Sequence, residues 1–323
     1  MLATVLLAGC GGSDETRTAK GDKRLQVATS VAPITNIVAE IAGEMAEVTG
    51  LIPEGADSHI FEPDPNVAQK LSQVDVIYLN GLQLEEPLRK LSKNNLGDGA
   101  EIVALGDRVL PNDERIYDHS FPKSEGKPNP HLWTSPSYVL AYARVIADDL
   151  SERDPDNAKA YRANLKSFEE DLDGLDKAMR ADFETIPMTK RKLLTYHDAY
   201  AYFARDYGFE IIGAIQPASF SEPTPKQVEA LIDQVRRLDV PAIFGSEVFP
   251  SPVLEQIGKE TGVRYVDELR DDDLPGDPGE PEHSLIGLLR FNYLKITQAL
   301  GGTASALQGI ELRTIDKAST RDE

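Results

Sequence analysis

The sequence is poor in cysteine and histidine, and this scarcity limits the chemistry open to it. Among 323 residues there is one cysteine, Cys10, so an exported domain of this chain would have to fold without a disulfide. The five histidines form no HxxxH pair, and no CxxC is present. HExxH, GxSxG and P-loop signatures are also missing. Their absence argues against the common metalloprotease, serine hydrolase and nucleotide hydrolase classes.

Basic residues are few relative to acidic ones. The chain has 34 Lys and Arg against 54 Asp and Glu, which gives a net charge of −20. Such a charge argues against a nucleic-acid partner and favours solubility and the attraction of cations. With 41% hydrophobic residues, the chain is long enough for two domains and a large buried core.

The first ten residues, MLATVLLAGC, are an apolar run that closes on small residues before Cys10. This pattern is typical of a bacterial lipoprotein cleavage site, although the basic segment that normally opens a signal peptide is not visible. The run is too short to span a bilayer. We expect residues 1–23 to be a signal peptide and flexible tether, with a lipid on Cys10 that anchors the chain to the outer face of the cytoplasmic membrane. A coincidental hydrophobic start is the alternative.

Short apolar strands alternate with helical segments on both sides of a central region. Residues 25–31 alternate like a strand and are followed by helical spacing, and KLLTY at 192–196 opens the same pattern in the second half. This alternation predicts an α/β fold with mostly parallel sheets and helices on both faces. We expect two similar lobes, residues 24–154 and 185–302, followed by a polar tail at 303–323.

One long amphipathic helix is predicted between the lobes, over residues 155–184. Its apolar residues recur at alternating steps of three and four, which places them on one helix face. They are Ala158, Tyr161, Leu165, Phe168, Leu172, Leu175 and Met179. Asp154 before Pro155 predicts an N-cap and a preformed first turn. At 1.5 Å per residue the helix would extend about 43 Å, enough for a rigid strut between lobes. A coiled-coil dimer is the alternative interpretation.

Three histidines and one aspartate stand where ligands usually gather in parallel sheets. His59 lies in the loop after the predicted strand 48–52, His197 directly follows KLLTY, and Asp267 ends the strand VRYV. Ligands bind outside the carboxyl ends of such strands. His131 lies in NPHLWTSP, where two prolines restrict the backbone. Three imidazoles and a carboxylate suit Zn²⁺ or Mn²⁺. Any one of these residues could equally be an ordinary surface group, so the hypothesis depends on their convergence.

The remaining histidines and two acidic residues have weaker expectations. His119 and His283 are predicted to be surface residues. Asp198 and Glu247 are candidates for orienting the histidine rings by hydrogen bonds, although either could be an ordinary helix cap or ion-pair partner.

Several sequence blocks together resemble a known family. They are LIPEGADSHIFEPDP at 51–65, VIYLNGLQLE at 76–85, NPHLWTSP at 129–136, TYHDAYAYFARDYG at 195–208 and EPTPKQ at 222–227. In this order and spacing, over residues 25–300, the sequence resembles the metal-specific solute-binding lipoproteins of bacterial ABC importers for zinc and manganese, the cluster A-I proteins. The resemblance implies two α/β lobes joined by one long rigid helix, with the metal in the interlobe cleft.

The resemblance also implies a ligand set and a partner. His59 and His131 would bind the metal from the first lobe, and His197 and Asp267 from the second, with Glu268 as the fallback for Asp267. Histidine at the third position favours Zn²⁺, because many manganese binders of the family have glutamate there. The implied protein is a monomer that delivers Zn²⁺ or Mn²⁺ to an ABC permease and is not an enzyme. A metal-dependent adhesin, a metal chaperone and a zinc hydrolase are the alternatives.

Three features depart from the family pattern. Residues 113–128 offer only His119 and a few acids where many zinc binders have a long His-rich loop. Ser58 replaces the proline that often precedes the first histidine. The acidic segment 271–282 is longer than usual, and Glu268 is the fallback ligand for this reason.

Overall fold

The computed structural model describes residues 24–221, 223–238, 240–247 and 252–314. The predicted tether with Cys10 lies outside these ranges. Among the helices within them, none has the length and apolar character that a membrane crossing requires.

The first lobe is a four-stranded parallel sheet with strand order β2-β1-β3-β4. Its strands are β1 (Leu25–Thr29), β2 (Ala46–Gly50), β3 (Val76–Leu79) and β4 (Glu101–Ala104). Its helices are α1 (Ala32–Ala42), α2 (Pro65–Leu71), α3 (Glu86–Asn95) and α4 (Leu105–Val109). All four residues of β3 are buried, as expected for a central strand covered on both faces. The predicted β–α alternation is confirmed for this lobe.

Two long helices follow the first sheet. The first, α5 (Pro136–Arg153), has 18 residues and was not anticipated from the sequence. The second, α6 (Ala158–Glu184), has 27 residues and is the predicted linker. It contacts both α1 and α5. The apolar stripe is therefore covered within the same chain and does not require a second copy.

The start of the linker differs from the prediction. A 3₁₀ turn, Pro155–Asn157, precedes α6, and the N-cap is Asn157 without a side-chain hydrogen bond. The carboxylate of Asp154 instead accepts hydrogen bonds from Asn157 Nδ2 at 2.7 Å and from the Tyr161 hydroxyl at 2.9 Å. Asp154 thus ties two side chains to the start of the helix and does not cap its backbone.

The second lobe repeats the architecture of the first, with strand order β6-β5-β7-β8. Its strands are β5 (Lys192–Thr195), β6 (Glu210–Ala214), β7 (Ala242–Ser246) and β8 (Arg264–Leu269). Its helices are α7 (Ala201–Tyr207), α8 (Pro225–Leu238), α9 (Pro252–Thr261) and α10 (Leu285–Ala299). Both sheets are parallel and both place the first strand of the lobe second in the order. The expectation of two similar lobes is confirmed.

One large apolar cluster runs through both lobes. It joins the first sheet and α1, α5 and α6 to the inner part of the second lobe, including Trp133, Phe168, Phe203 and Tyr293. A second, smaller cluster lies at α8 and α9 and includes Ile232 and Ile257. Since α6 also contacts α10, the linker is packed along its length and a wide hinge motion about it would break core contacts.

The segment after residue 302 differs from the predicted polar tail. A short helix, α11 (Ser305–Gln308), packs on α6, and Leu307 is fully buried. The Asp182 carboxylate accepts hydrogen bonds from the Ala306 and Leu307 amides at 3.0 and 2.8 Å. Arg313 pairs with Asp171 at 2.8 Å. Its strongly apolar residues in the described range, Leu307, Ile310 and Leu312, are spaced by three and then two positions and set no sustained helical period, so periodicity could not reveal its docking.

Candidate metal centre

The imidazoles of His59, His131 and His197 converge on one point. The Nε2 atom of His59 lies 3.3 Å from those of His131 and His197, and the latter two atoms are 2.9 Å apart. Two Zn–N bonds of 2.0–2.1 Å at a tetrahedral angle place their nitrogens about 3.3 Å apart. The triangle therefore has the size that a single ion requires.

The two lobes supply these histidines from different local structures. His59 belongs to the loop between β2 and α2, and His197 lies two residues beyond β5. His131 precedes the 3₁₀ turn Leu132–Thr134 that leads into α5. The expected positions of His59 and His197 after strands are confirmed. His131 approaches from a long connection and not directly from a strand end.

Amide side chains orient two of the three rings. The Nδ1 atom of His131 lies 2.9 Å from Asn129 Oδ1, and that of His197 lies 2.6 Å from Gln216 Oε1. An amide oxygen only accepts, so each ring donates through Nδ1–H and directs its Nε2 lone pair towards the triangle.

The carboxylates expected to orient the rings have other partners. Asp198 Oδ2 accepts a hydrogen bond from the Ser120 amide at 2.8 Å, and Glu247 accepts from backbone amides. The sequence analysis did not identify Asn129 and Gln216 as the residues that hold the rings, although Asn129 is only two residues from His131. Gln216 follows β6, the neighbour of β5, and only strand pairing could have revealed it.

The structure does not bring Asp267 to the histidines. Strand β8 continues to Leu269, three residues past its predicted end, and its pairing with β7 shifts register near Ser246. Asp267 is consequently exposed and lines a surface groove. The fallback, Glu268, pairs with Arg270 at 2.6 Å and Lys295 at 3.5 Å. The sequence prediction ended the strand three residues too early, and the acidic residue expected at the strand end was therefore also chosen too early in the chain.

Asp271 and Asp272 occupy the place expected for Asp267. Both are buried, and each offers a carboxylate oxygen within a 4.8 Å cluster that includes His131. Asp271 Oδ2 lies 3.5 Å from His197 Nε2. Asp272 Oδ1 is buried and has no hydrogen-bond partner within the described part of the chain. An unpaired buried carboxylate oxygen is costly unless a cation or proton satisfies it.

Backbone hydrogen bonds hold the acidic loop in place. Glu247 Oε1 accepts from the amides of Asp271, Asp272 and Asp273 at 2.8, 3.1 and 3.2 Å. The Asp273 carboxylate in turn accepts from the Gly55 amide of the first lobe at 2.8 and 3.0 Å. The loop that carries the carboxylates is therefore joined to the loop that carries His59.

Burial shifts the ionisation of the site in a direction that suits cation binding. Burial and the neighbouring His197 hold the pKa of His59 and of His131 well below the usual range. Burial, together with the surrounding carboxylates, raises the pKa of Asp271 well above its usual range. In the metal-free site, burial therefore disfavours the charged forms of His59, His131 and Asp271. A divalent cation can replace the proton of such a carboxyl.

The two remaining histidines behave differently from each other. His119 is exposed, as predicted. The prediction for His283 was wrong, because its side chain is only 7% exposed and its Nε2 lies 3.6 Å from Glu54 Oε1.

Two parallel-sheet lobes on one long helix, with histidines and carboxylates converging between them, define a two-lobed substrate-binding protein for a metal ion. The chain belongs to the family of the periplasmic zinc-uptake complex component A, whose model matches residues 27–299. It is thus a metal-capturing, substrate-binding component of the ABC importer class.

Named relatives differ in the metal that they bind. The manganese-binding lipoprotein MntA from Halalkalibacterium halodurans is 33% identical over 294 residues, which cover 90% of this chain and 93% of MntA. The iron-binding protein YfeA from Yersinia pestis is 31% identical over 301 residues, covering 93% and 92%. The solved periplasmic zinc-binding protein TroA from Treponema pallidum superposes with a TM-score of 0.77 and 26% identity, covering 86% of this chain and 99% of TroA. Membership of the family therefore establishes that the protein captures a metal ion, but it does not identify the metal.

Proposed function

We propose that this protein captures Zn²⁺ with His59, His131 and His197 and one carboxylate of the pair Asp271 and Asp272. The Nε2 triangle carries the proposal, because its sides of 2.9 to 3.3 Å match two nitrogen ligands on one ion. Asp272 is the preferred fourth ligand, since its buried Oδ1 has no partner among the described residues.

Zinc is favoured over manganese by the donor atoms. Imidazole suits Zn²⁺, whereas Mn²⁺ prefers carboxylate, carbonyl and water oxygens. Three nitrogen donors and one carboxylate form a nitrogen-rich shell. Relatives named for manganese and iron show that the fold accepts other metals, so the choice must be measured.

The site supports transport better than catalysis. A catalytic zinc centre keeps one coordination position open for water and places a general base beside it. Here the three histidines form one candidate ligand group, and Asp271 and Asp272 form a second group with His131, so a carboxylate can complete the shell of an ion held by the histidines. A closed shell holds a cargo ion and leaves no position for a substrate.

Delivery to an ABC permease would require the lobes to separate slightly. Several hydrogen bonds cross the cleft: Trp133 Nε1 donates to the Asp271 carbonyl at 2.7 Å, and Asn129 Nδ2 to the Asp198 carbonyl at 2.7 Å. The packed linker α6 restricts the motion to a small change in lobe angle. We propose that the permease opens this interface while a lipid on Cys10 keeps the protein at the membrane.

Native mass spectrometry with competing Zn²⁺ and Mn²⁺ tests the ligand set. We expect one zinc per chain, loss of binding in His131→Ala, and unchanged binding in the control His119→Ala, which removes an exposed histidine. Asp272→Asn should weaken binding strongly, whereas Asp267→Asn should not. An equal loss of zinc affinity in Asp272→Asn and Asp267→Asn would contradict the proposal. Preference of the wild type for Mn²⁺ over Zn²⁺ would contradict it as well.

A further inference from the structure

The ring of His59 is supported differently from the other two imidazoles. Asn129 and Gln216 hold His131 and His197 through Nδ1. Within the described ranges, no side chain or carbonyl accepts a hydrogen bond from Nδ1 of His59. A ligand ring without such a bond needs another restraint if it is to be preorganised.

Two phenylalanines surround the His59 ring. Phe220 stacks on it with a centroid distance of 4.3 Å and an interplanar angle of 15°. Phe121 lies 5.5 Å from the same ring at 41°, and the two phenylalanine rings are 5.8 Å apart. A parallel ring at this distance restricts rotation of the imidazole about its Cβ–Cγ bond.

Phe220 belongs to the opposite lobe from His59. It lies in the loop after β6, four residues beyond Gln216, and its amide donates to the Pro217 carbonyl at 2.9 Å. One loop of the second lobe thus orients a ligand of each lobe: Gln216 holds His197, and Phe220 covers His59.

The backbone of Phe220 adopts a conformation that its side chain disfavours. Its φ is +54°, in the left-handed region that non-glycine residues rarely occupy. Strained positions of this kind persist where surrounding contacts impose them and are concentrated at binding and switching sites. Here the stacked imidazole is a contact that holds the residue in place.

Phe220 also lines a cavity beside His59. His59, Phe121, Lys127 and Phe220 contribute to the wall of a cavity of about 200 Å³. An ion that leaves the triangle through this cavity would pass the rings of Phe121 and Phe220.

We infer that Phe220 is a cross-lobe positioning residue that fixes the His59 ring for metal binding and slows release of the metal. The inference rests on the proposed function of His59 as a ligand. When the β6–α8 loop moves with its lobe, the stack separates and His59 regains rotation. The loop thereby couples lobe opening to the loss of one ligand.

Three variants test this inference. Phe220→Tyr keeps the aromatic plane, Phe220→Leu removes it while retaining apolar bulk, and Ile60→Ala alters an exposed residue of the same cavity wall. Phe220 belongs to neither apolar cluster, so these variants should fold like the wild type.

The first measurement uses the metal-free protein. Histidine side-chain NMR should show His59 ring protons shifted upfield by the stacked phenyl ring in the wild type and in Phe220→Tyr. The shift should disappear in Phe220→Leu and persist in Ile60→Ala. An unchanged His59 signal in Phe220→Leu would overturn the inference. This readout is independent of zinc, so it stands apart from the test of the proposed function.

The second measurement follows zinc release into an excess of a fluorescent chelator. Release should be about two- to tenfold faster in Phe220→Leu, the range expected for loss of one aromatic pair. Phe220→Tyr and Ile60→Ala should release zinc at the wild-type rate. Equal acceleration in Phe220→Tyr and Phe220→Leu would overturn the positioning role. A wild type that binds no zinc would instead overturn the proposed function.

Discussion

The first and second lobes share a strand order but differ in how their sheets are covered. The first sheet, the linker helix and the inner part of the second lobe form one apolar cluster. The outer part of the second lobe, at α8 and α9, has a smaller cluster of its own. The difference indicates that the first lobe and α6 form a continuous platform. The outer second lobe, which carries the loop with Phe220, is the part that can loosen without breaking the main core.

The lobes also differ in the ionisation of the groups that they bring to the candidate metal centre. The first lobe contributes only imidazoles, whose pKa values burial lowers. The second lobe contributes one imidazole and the acidic loop, whose carboxyl pKa values burial raises. Protonation neutralises a carboxyl but charges an imidazole, so the two halves of the site predict opposite pH slopes for the stability of the metal-free protein.

The largest expected effect on stability comes from removing a buried aromatic side chain from the apolar cluster that the two lobes share. Phe203 is fully buried and stacks on Tyr293 of α10 at 4.3 Å. Phe203→Ala should lower the free energy of unfolding by about 3–5 kcal/mol, as for other buried aromatic truncations. Hydrogen exchange should become faster in both lobes.

Ile232→Ala in the smaller cluster is the matched control for that variant. Faster exchange there should be confined to α8, α9 and the adjoining strands. Exchange that spreads to the first lobe in Ile232→Ala would contradict the division of the core into a platform and an outer layer.

The second prediction concerns pH. Burial raises the pKa of Glu247 from 4.5 to about 7, so the folded protein retains a proton that the unfolded chain releases. This stabilising contribution is complete below about pH 4.5 and is lost as pH rises through 7, for a total on the order of 3 kcal/mol. The melting temperature of the metal-free wild type should therefore fall relative to that of Glu247→Gln as pH is raised from 5 to 8.

The first-lobe histidines predict the opposite dependence of folding stability on pH. Because the pKa of His131 lies below that of a free imidazole, the unfolded chain takes up protons first, and stability falls as pH drops below about 6.5. A parallel pH dependence for wild type and Glu247→Gln would show that Glu247 does not titrate in this range.

The third prediction compares the two amides that orient the histidines. Removing such a partner typically weakens metal binding by about 10- to 100-fold. Gln216→Ala should fall in this range. Asn129→Ala should lose more, because Asn129 Nδ2 also donates to the Asp198 carbonyl across the cleft. Competition titrations with a zinc chelator would measure both, and an unchanged affinity in either variant would contradict the assigned role.

The smallest effect is expected at Arg313, beyond α11. Arg313 pairs with Asp171 on α6, but the Arg313 side chain is 63% exposed. Arg313→Ala should change the free energy of unfolding by less than about 1 kcal/mol, as is usual for exposed ion pairs. Chemical denaturation would measure the change. A larger loss would mean that the C-terminal segment contributes to the platform as strongly as a core element.

The sequence was sufficient to predict the alternation of strands and helices, the linker helix and the convergence of the three histidines. These features follow from local periodicity and from the rule that ligands gather at strand ends. The placement of Asp267 at the metal centre failed for a local reason. Strand β8 extends three residues beyond the end that its apolar pattern predicts. Position along the chain alone could not choose among the acids that follow.

Features that depend on distant parts of the chain were not predictable. The bond from Gln216 to His197 requires the pairing of β5 with β6, and the stack of Phe220 on His59 requires the two lobes to face each other. In the sequence, His283 is a polar residue before a helix, which predicts a surface position. Its partner Glu54 belongs to the other lobe, so their contact could not be predicted locally. Such contacts arise from tertiary structure and leave no periodic signal in the sequence.

The docking of α11 has a practical consequence for engineering. Because Asp182 binds the amides of Ala306 and Leu307, a truncation at residue 302 would expose a carboxylate and an apolar hollow on α6. A fluorescent reporter fused after residue 314 would be attached next to the strut that both lobes share. Paired with a second dye on the outer second lobe, it would report metal loading as a change in energy transfer between the two dyes.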